Sequence, residues 1–276
     1  MTRRIVVVGA GMVGHRVCEE VLRADPDADV TLVGEEPYEP YNRVLLSELV
    51  AGRTDLASLS LPSVAGLTTR FGHRVVDVDR ERRTVVLDDD SRIGYDHLVL
   101  ATGASARELP LAGLRVGDDA GGHRVAGVHV LRTVDDARAV LAGAVNARRV
   151  VVVGAGPVGL EVACGLRARG LDVTVMASRS SVLDRDLDTR VGAIAMTTLA
   201  DLGITVVPDA NVFGVEQRGG KVSGVALRGA PGGGAGPWAA DRTGGGAGPW
   251  AADRTASAPA RTVPTDMLVL ATGSDG

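Results

Sequence analysis

Lysine is almost missing from this chain. Of its 30 basic residues only Lys221 is lysine; the rest are arginine. Cysteine is nearly as rare, with two residues, Cys18 and Cys164. Two cysteines build no disulfide framework, no CxxC-type zinc site and no iron–sulfur cluster, and they form no CxxC redox pair. Any redox chemistry must therefore be carried by a bound group. Aromatic residues make up only 3% of the chain. The formal net charge is −4, too small and of the wrong sign to draw nucleic acid or an anionic membrane surface. No apolar run approaches the roughly 20 residues of a membrane helix. The N-terminus is basic (Met1, Thr2, Arg3, Arg4), but Ile5 to Val8 is too short for a signal sequence and runs into glycine. These absences point to a cytoplasmic protein. The length of 276 residues allows one or two domains with a sizeable core.

Glycine is what the chain has in excess, 37 residues, about twice the ordinary share. Some of it belongs to an internal repeat. Arg4 to His15 reads RIVVVGAGMVGH, and Arg149 to Leu160 reads RVVVVGAGPVGL; nine of the twelve positions agree. Each is a β-branched apolar run, then GxGxxG, then a helix-like segment. A second strand follows each, VTLV from Val30 and VTVM from Val173. Turn-punctuated strand pairs come next, Arg74 to Asp88 and Val212 to Leu227, the latter with Gly219-Gly220 at its turn. Both halves close on the same words, LVLATG at Leu98 to Gly103 and again at Leu268 to Gly273, with Asp96 and Asp266 just upstream. The fold class read from this order is α/β, with two Rossmann-like dinucleotide-binding units. Each has a three-layer ββα arrangement and a β-meander.

A second repeat is of another kind. GGGAGPWAADRT at 232–243 recurs unchanged at 244–255 and holds both tryptophans, Trp238 and Trp250. It reads as a low-complexity surface insert spanning 229–261. Charge runs at Arg80 to Arg83 and Asp88 to Asp90 read as solvated turn tips, and Cys18 and Cys164, on the two glycine-loop helices, as packed core thiols.

The glycine loops carry the chemistry. Gly9 allows a tight turn out of the first strand, Gly11 lets backbone approach a pyrophosphate, and Gly14 lets the helix pack on the sheet. The helix N-terminus then offers free N–H groups and a positive dipole end to phosphate. An acid about 20 residues on should bind a ribose; Glu35 is the preferred candidate, with Glu36 beside it. Gly154, Gly156 and Gly159 repeat the loop. The corresponding strand ends on Ala177, where no acid stands, and Arg179 follows. An arginine without a nearby acid suits a 2′-phosphate, so the second site leans to NADPH without excluding NADH. No catalytic triad is evident.

Two such units with paired ATG motifs resemble the FAD-dependent pyridine nucleotide-disulfide oxidoreductase family. The segment EEPYEPYNRVLLS, Glu35 to Ser47, is similar to the N-terminal FAD/NAD(P)-binding region of the assimilatory NAD(P)H nitrite reductase large subunit. Gly11 to His15 and Val130 to Asp136 fit that branch as well. The resemblance implies an FAD unit with an NAD(P) unit inserted into it: 1–118 as the first part of the FAD unit, 119–267 as the NAD(P)H unit, and 268–276 returning toward the FAD unit. It implies that Gly9, Gly11, Met12, Gly14, Glu35 and Glu36 hold the ADP half of FAD. Arg43 and Ser47 would approach its flavin side, and Ala101, Thr102 and Gly103 would contact the flavin nucleotide. Arg132, Asp136 and Gly273 would lie near the crossover. Gly154, Gly156, Pro157, Gly159, Glu161 and Arg179 would line the NAD(P)H site, with Glu161 close to the nicotinamide.

The implied reaction is hydride transfer from NAD(P)H to FAD, with electrons passed to a downstream acceptor domain or protein. No metal is implied. Many relatives in that family, such as the rubredoxin and ferredoxin reductases, carry lysine where Glu48 stands, which argues for the nitrite reductase branch. The family continues past the second ATG motif, so the FAD unit is expected to be unfinished at Gly276. An inactive fragment, half of a split flavoenzyme, and a ferredoxin or rubredoxin reductase-like flavoprotein stand as alternatives.

Overall fold

A computed structural model describes residues 2–116, 123–184, 187–228 and 261–275. The duplicated block with Trp238 and Trp250 lies outside the described residues. The chain divides into two compact units. One comprises Met1–Leu46 and Thr54–Ser105, the other Ser47–Arg53 and Ala106–Asp275.

In the first unit, β1 (Arg4–Val8), β2 (Asp29–Gly34), β3 (Leu67–Phe71) and β7 (His97–Leu100) form a parallel sheet in the order β3-β2-β1-β7. Helix α1 (Met12–Ala24) connects β1 to β2. An antiparallel meander, β4 (Val75–Asp79), β5 (Thr84–Leu87) and β6 (Arg92–Gly94), precedes β7. Side chains on a strand alternate between faces, and both faces of β1 are covered. Val6 and Val8 pack with Val85, Leu87 and Tyr95 of the meander side. Val7 packs with Cys18 and Leu22 of α1. Burial on both faces explains why β1 reads as an unbroken apolar run rather than an alternating one.

The second unit repeats the plan. Helix α2 (Leu46–Ala51) contributes most of its length to it. Short strands β8 (Ser105–Ala106), β9 (Arg115–Val116) and β10 (His123–Arg124) lead into β11 (Val128–Val130) and α3 (Val134–Asn146). Then come β12 (Arg149–Val153), α4 (Pro157–Ala168), β13 (Asp172–Met176), α5 (Thr189–Asp201) and β14 (Thr205–Val207). The meander is β15 (Asn211–Arg218), β16 (Lys221–Arg228) and β17 (Arg261–Pro264), followed by β18 (Met267–Leu270) and β19 (Ser274–Asp275). The parallel sheet runs β11-β18-β12-β13-β14. Val151 and Val153 join Val215, Val225, Leu227 and Val263 of the meander in one core. Gly219 and Gly220, at the β15–β16 turn, both have positive φ, as a two-residue hairpin turn requires.

This is an α/β fold with two Rossmann-like units, each a parallel sheet with helix on one side and meander on the other. The sequence places the first boundary near residue 118; the division lies at Ser105/Ala106. The reason is packing. Leu111 and Leu114 enter the core of the second unit, and Ala112 exchanges backbone hydrogen bonds with Phe213 and Val215 at 3.0 and 2.7 Å. The segment 268–276 also begins inside the second unit, because β18 is an interior strand of its sheet with all four residues buried.

Candidate functional site: two glycine loops

The two glycine loops share a set of backbone contacts. Gly9 N–H donates to the Val33 carbonyl at 2.8 Å, and Gly154 N–H to the Met176 carbonyl at 3.0 Å. Ala101 N–H donates to Val8 at 2.7 Å, and Ala271 N–H to Val153 at 2.8 Å. Gly9 and Gly154 have φ of 110° and 116°. A Cβ on either would lie 2.2 Å from a carbonyl oxygen, of Ala101 in one unit and Ala271 in the other. The alanine of each ATG motif thus sits on the first glycine of its loop. Gly14 and Gly159 face inward in the same way: a Cβ would come 1.9 Å from the Gly9 carbonyl oxygen and 2.1 Å from that of Gly154.

The middle glycines are different. A Cβ on Gly156 would meet nothing within 4 Å, and one on Gly11 only the Arg43 Nε at 3.8 Å. Neither has positive φ, so neither is glycine for reasons of backbone strain. Both are helix N-caps without a side-chain cap. The other two long helices are capped: Thr133 and Asp136 form a reciprocal box at α3, and the Asp188 carboxylate accepts from Arg190 N and Val191 N at α5. Among the described helices of twelve residues or more, α1 and α4 have first-turn N–H groups without a side-chain cap, each beside a glycine that leaves room for an acceptor. Such a pair of features is an anion cradle. Met12 and Pro157 are the first residues of these helices.

Around the first loop, Glu36 is half-buried and accepts from Tyr41 Oη at 2.7 Å and from Arg43. The Arg43 guanidinium lies 4.9 Å over the Tyr41 ring. Glu35 is exposed and pairs with Arg74 at 2.5 Å. Thr102 and Gly103 follow Ala101, with Gly103 at φ 73°. His15 is buried on α1, and its Nε2 lies 2.7 Å from the Pro62 carbonyl; nothing local in the sequence signals that contact.

Around the second loop, Glu161 lies on α4 and accepts from Ser47 Oγ at 2.6 Å. Ser47 belongs to the second unit, with Glu161 rather than with Arg43. Ala177 is buried at the end of β13, and Arg179 pairs with Asp184 at 2.9 Å. Arg132 N–H and Thr133 N–H donate to the Asp136 carboxylate at 2.9 and 2.8 Å, which gives Asp136 a capping task. Gly273 has φ 101°, and its carbonyl accepts from Arg107 N. Burial pushes the Cys18 thiol up to about 11 and raises that of Cys164, which disfavours the reactive thiolate. His73, Asp88 and Asp89 gather at a meander turn with Nδ1 3.5 and 3.6 Å from the carboxylates. Among the described residues no helix is long and apolar enough to cross a membrane.

Residues 3–230 match the family model of the pyridine nucleotide-disulphide oxidoreductases. The chain belongs to that family. Among similar members is the assimilatory nitrate reductase electron transfer subunit of Bacillus subtilis, 32% identical over 74% of this chain and 26% of the relative. The nitrite reductase [NAD(P)H] of the same organism is 33% identical over 74% of this chain and 25% of its own. This family member therefore spans about a quarter of the length of those two relatives. A solved ferredoxin reductase from Rhodopseudomonas palustris is 25% identical, with a TM-score of 0.80 over 99% of this chain and 59% of its own.

Proposed function

We propose that this chain is the dinucleotide-binding part of an FAD-dependent NAD(P)H oxidoreductase, the electron-input module of a nitrite reductase-like enzyme. The observation that carries the reading is the pair of uncapped α1 and α4 N-termini, each beside an open glycine and each closed from behind by an ATG alanine. One cradle takes one pyrophosphate; two cradles take two dinucleotides.

The first cradle fits FAD. Gly9, Gly11, Met12 and Gly14 would hold its pyrophosphate, an acid at Glu35 or Glu36 its ribose, and Arg43, Ala101, Thr102 and Gly103 its flavin side. The second fits NAD(P)H through Gly154, Gly156, Pro157, Gly159 and Glu161, with Arg179 at the adenosine end and Arg132 and Gly273 at the rim. FAD, when bound, supplies hydride acceptance and one-electron release, which no side chain of this protein can supply. The protein's part is electrostatic and positional. Helix N-termini neutralise phosphate charge, and glycines allow close approach. We place this work in the cytoplasm, with electrons leaving to a downstream acceptor domain or protein.

The nitrite reductase branch is favoured over a ferredoxin reductase by the EEPYEPYNRVLLS segment and by Glu48. That carboxylate is committed to Arg53, at 2.5 and 2.8 Å. The test is a visible spectrum of the purified chain supplied with FAD, followed anaerobically on adding NADPH or NADH. Bound flavin that bleaches supports the reading. Absence of both binding and bleaching makes this chain an inactive fragment or one half of a split enzyme.

A further inference from the structure

The charge run Asp88 to Asp90 is more than a solvated tip. It forms the β5–β6 turn of the first unit, and His73, two residues before β4, stands against it. His73 Nδ1 lies 3.5 Å from Asp88 Oδ1 and 3.6 Å from Asp89 Oδ2, and all three atoms fall within 4.8 Å of one another. A direct hydrogen bond would draw the ring nitrogen to about 2.7–3.2 Å from one carboxylate. Atoms bound at about 2.0–2.2 Å around a tetrahedral ion stand about 3.3–3.6 Å apart. The His73 separations match the second spacing.

Backbone and side-chain bonds hold each group in place. His73 N–H donates to the Gly34 carbonyl at the end of β2, at 3.0 Å. Asp88 N–H donates to the Arg74 carbonyl at 2.9 Å, which ties the turn to the start of β4. Ser91 donates to Asp89 Oδ1 twice, from its N–H at 3.0 Å and its Oγ at 2.6 Å. The oxygen that faces His73 is the other one. A carboxylate fixed through one oxygen presents the second in a set direction, as supporting hydrogen bonds do for metal ligands. The neighbouring cation, Arg74, is bonded to Glu35 at 3.0 and 2.5 Å. The side chains of His73, Asp88 and Asp89 are 34%, 46% and 48% exposed, so a further coordination position opens to water.

We propose that His73, Asp88 and Asp89 bind a divalent transition-metal ion of the zinc class, with water as the fourth ligand. One imidazole and two carboxylates suit such an ion, whereas Mg2+ and Ca2+ take six or more oxygens. Neither glycine loop supplies a ligand to it. Calorimetric titration of the whole chain with zinc chloride, and with magnesium chloride for contrast, is the test. The parent is expected to bind one equivalent of Zn2+ in the micromolar range and Mg2+ at least a hundredfold more weakly. His73→Ala and Asp89→Asn, both at exposed side chains and checked for folding by circular dichroism, should each lower Zn2+ affinity tenfold or more. Asp90→Asn removes the same charge from the same turn but no ligand, and should leave Zn2+ affinity unchanged. Absence of Zn2+ binding, undiminished binding in His73→Ala or Asp89→Asn, an equal loss in Asp90→Asn, or Mg2+ bound as tightly as Zn2+ overturns the proposal.

Discussion

The carbonyl oxygen of Ala101 occupies the space that a side chain on Gly9 would need: a Cβ there would lie 2.2 Å from it. Ala271 stands in the same relation to Gly154, at 2.2 Å. Positive φ adds backbone strain to this clash at both glycines. Gly9→Ala and Gly154→Ala are therefore expected to destabilise the chain by about 2–5 kcal/mol each, a sum of backbone strain and overpacking. Thermal unfolding checks this. The two losses should be similar, since the contacts are the same.

The repeat extends to an ion pair that closes each sheet. The Asp96 carboxylate accepts from Arg4 N at 2.9 Å and from its guanidinium at 3.0 Å; Asp266 accepts from Arg149 at 2.9 and 2.8 Å. The Arg4 hydrogen bonds hold Asp96 down to about 2, and Arg149 lowers Asp266. A carboxylate with a depressed folded-state value stabilises the fold above its unfolded value, near 3.8 for Asp96, and loses that contribution as pH falls through about 2. Asp96→Asn should flatten the acid limb of the stability curve between those values. Urea midpoints at stepped pH give the answer.

His129 acts in the same sense at a higher pH. Its Nε2 is buried without a hydrogen-bond partner, under Gly143 of α3. Burial, with Arg124 assisting, lowers its affinity for a proton; Asp136 opposes weakly. The unfolded chain takes up that proton near pH 6.5 while the folded chain resists, so stability falls as pH drops below about 6.5. In His129→Leu the decline between pH 7 and 5 should be shallower than in the parent, read as Tm against pH.

On the proposed function, coenzyme choice turns on Arg179. It is exposed and paired with Asp184 at 2.9 Å, and buried Ala177 stands at the end of β13, where an acid would face a ribose. Arg179→Ala is expected to lower NADPH affinity relative to NADH about tenfold or more, the worth of a charge-assisted hydrogen bond. Asp184→Asn, which frees the guanidinium, should raise the NADPH preference. Competition binding with NADP+ and NAD+ measures both.

The parts of the fold legible in the sequence were those written in local pattern. The β-branched runs, GxGxxG spacing and repeated LVLATG located β1, α1, β7 and their partners β12, α4 and β18, because strand burial and glycine loops each leave a short-range signature. Relations across long separations left none. Ser47 sits beside Arg43 in the chain yet bonds to Glu161, 114 residues away. The 106–116 segment reads as the tail of the first unit until Leu111 and Leu114 are seen in the core of the second. The adjacent acids Glu35 and Glu36 differ through Arg74 on one and Tyr41 and Arg43 on the other, whose positions depend on the folded meander and loop.

On the proposed function each glycine loop holds one dinucleotide, and the middle glycines Gly11 and Gly156 separate the two sites. Gly11 and Gly156 have extended backbones and open space where a side chain would go. Gly11→Val and Gly156→Val should therefore keep wild-type circular dichroism while filling the phosphate approach. Binding of FAD and NADP+ to each variant is the decisive measurement. The expected result is that Gly11→Val loses FAD alone and Gly156→Val loses NADP+ alone, each by a hundredfold or more, about 3 kcal/mol. Undiminished binding of both dinucleotides to either folded variant would contradict the claim.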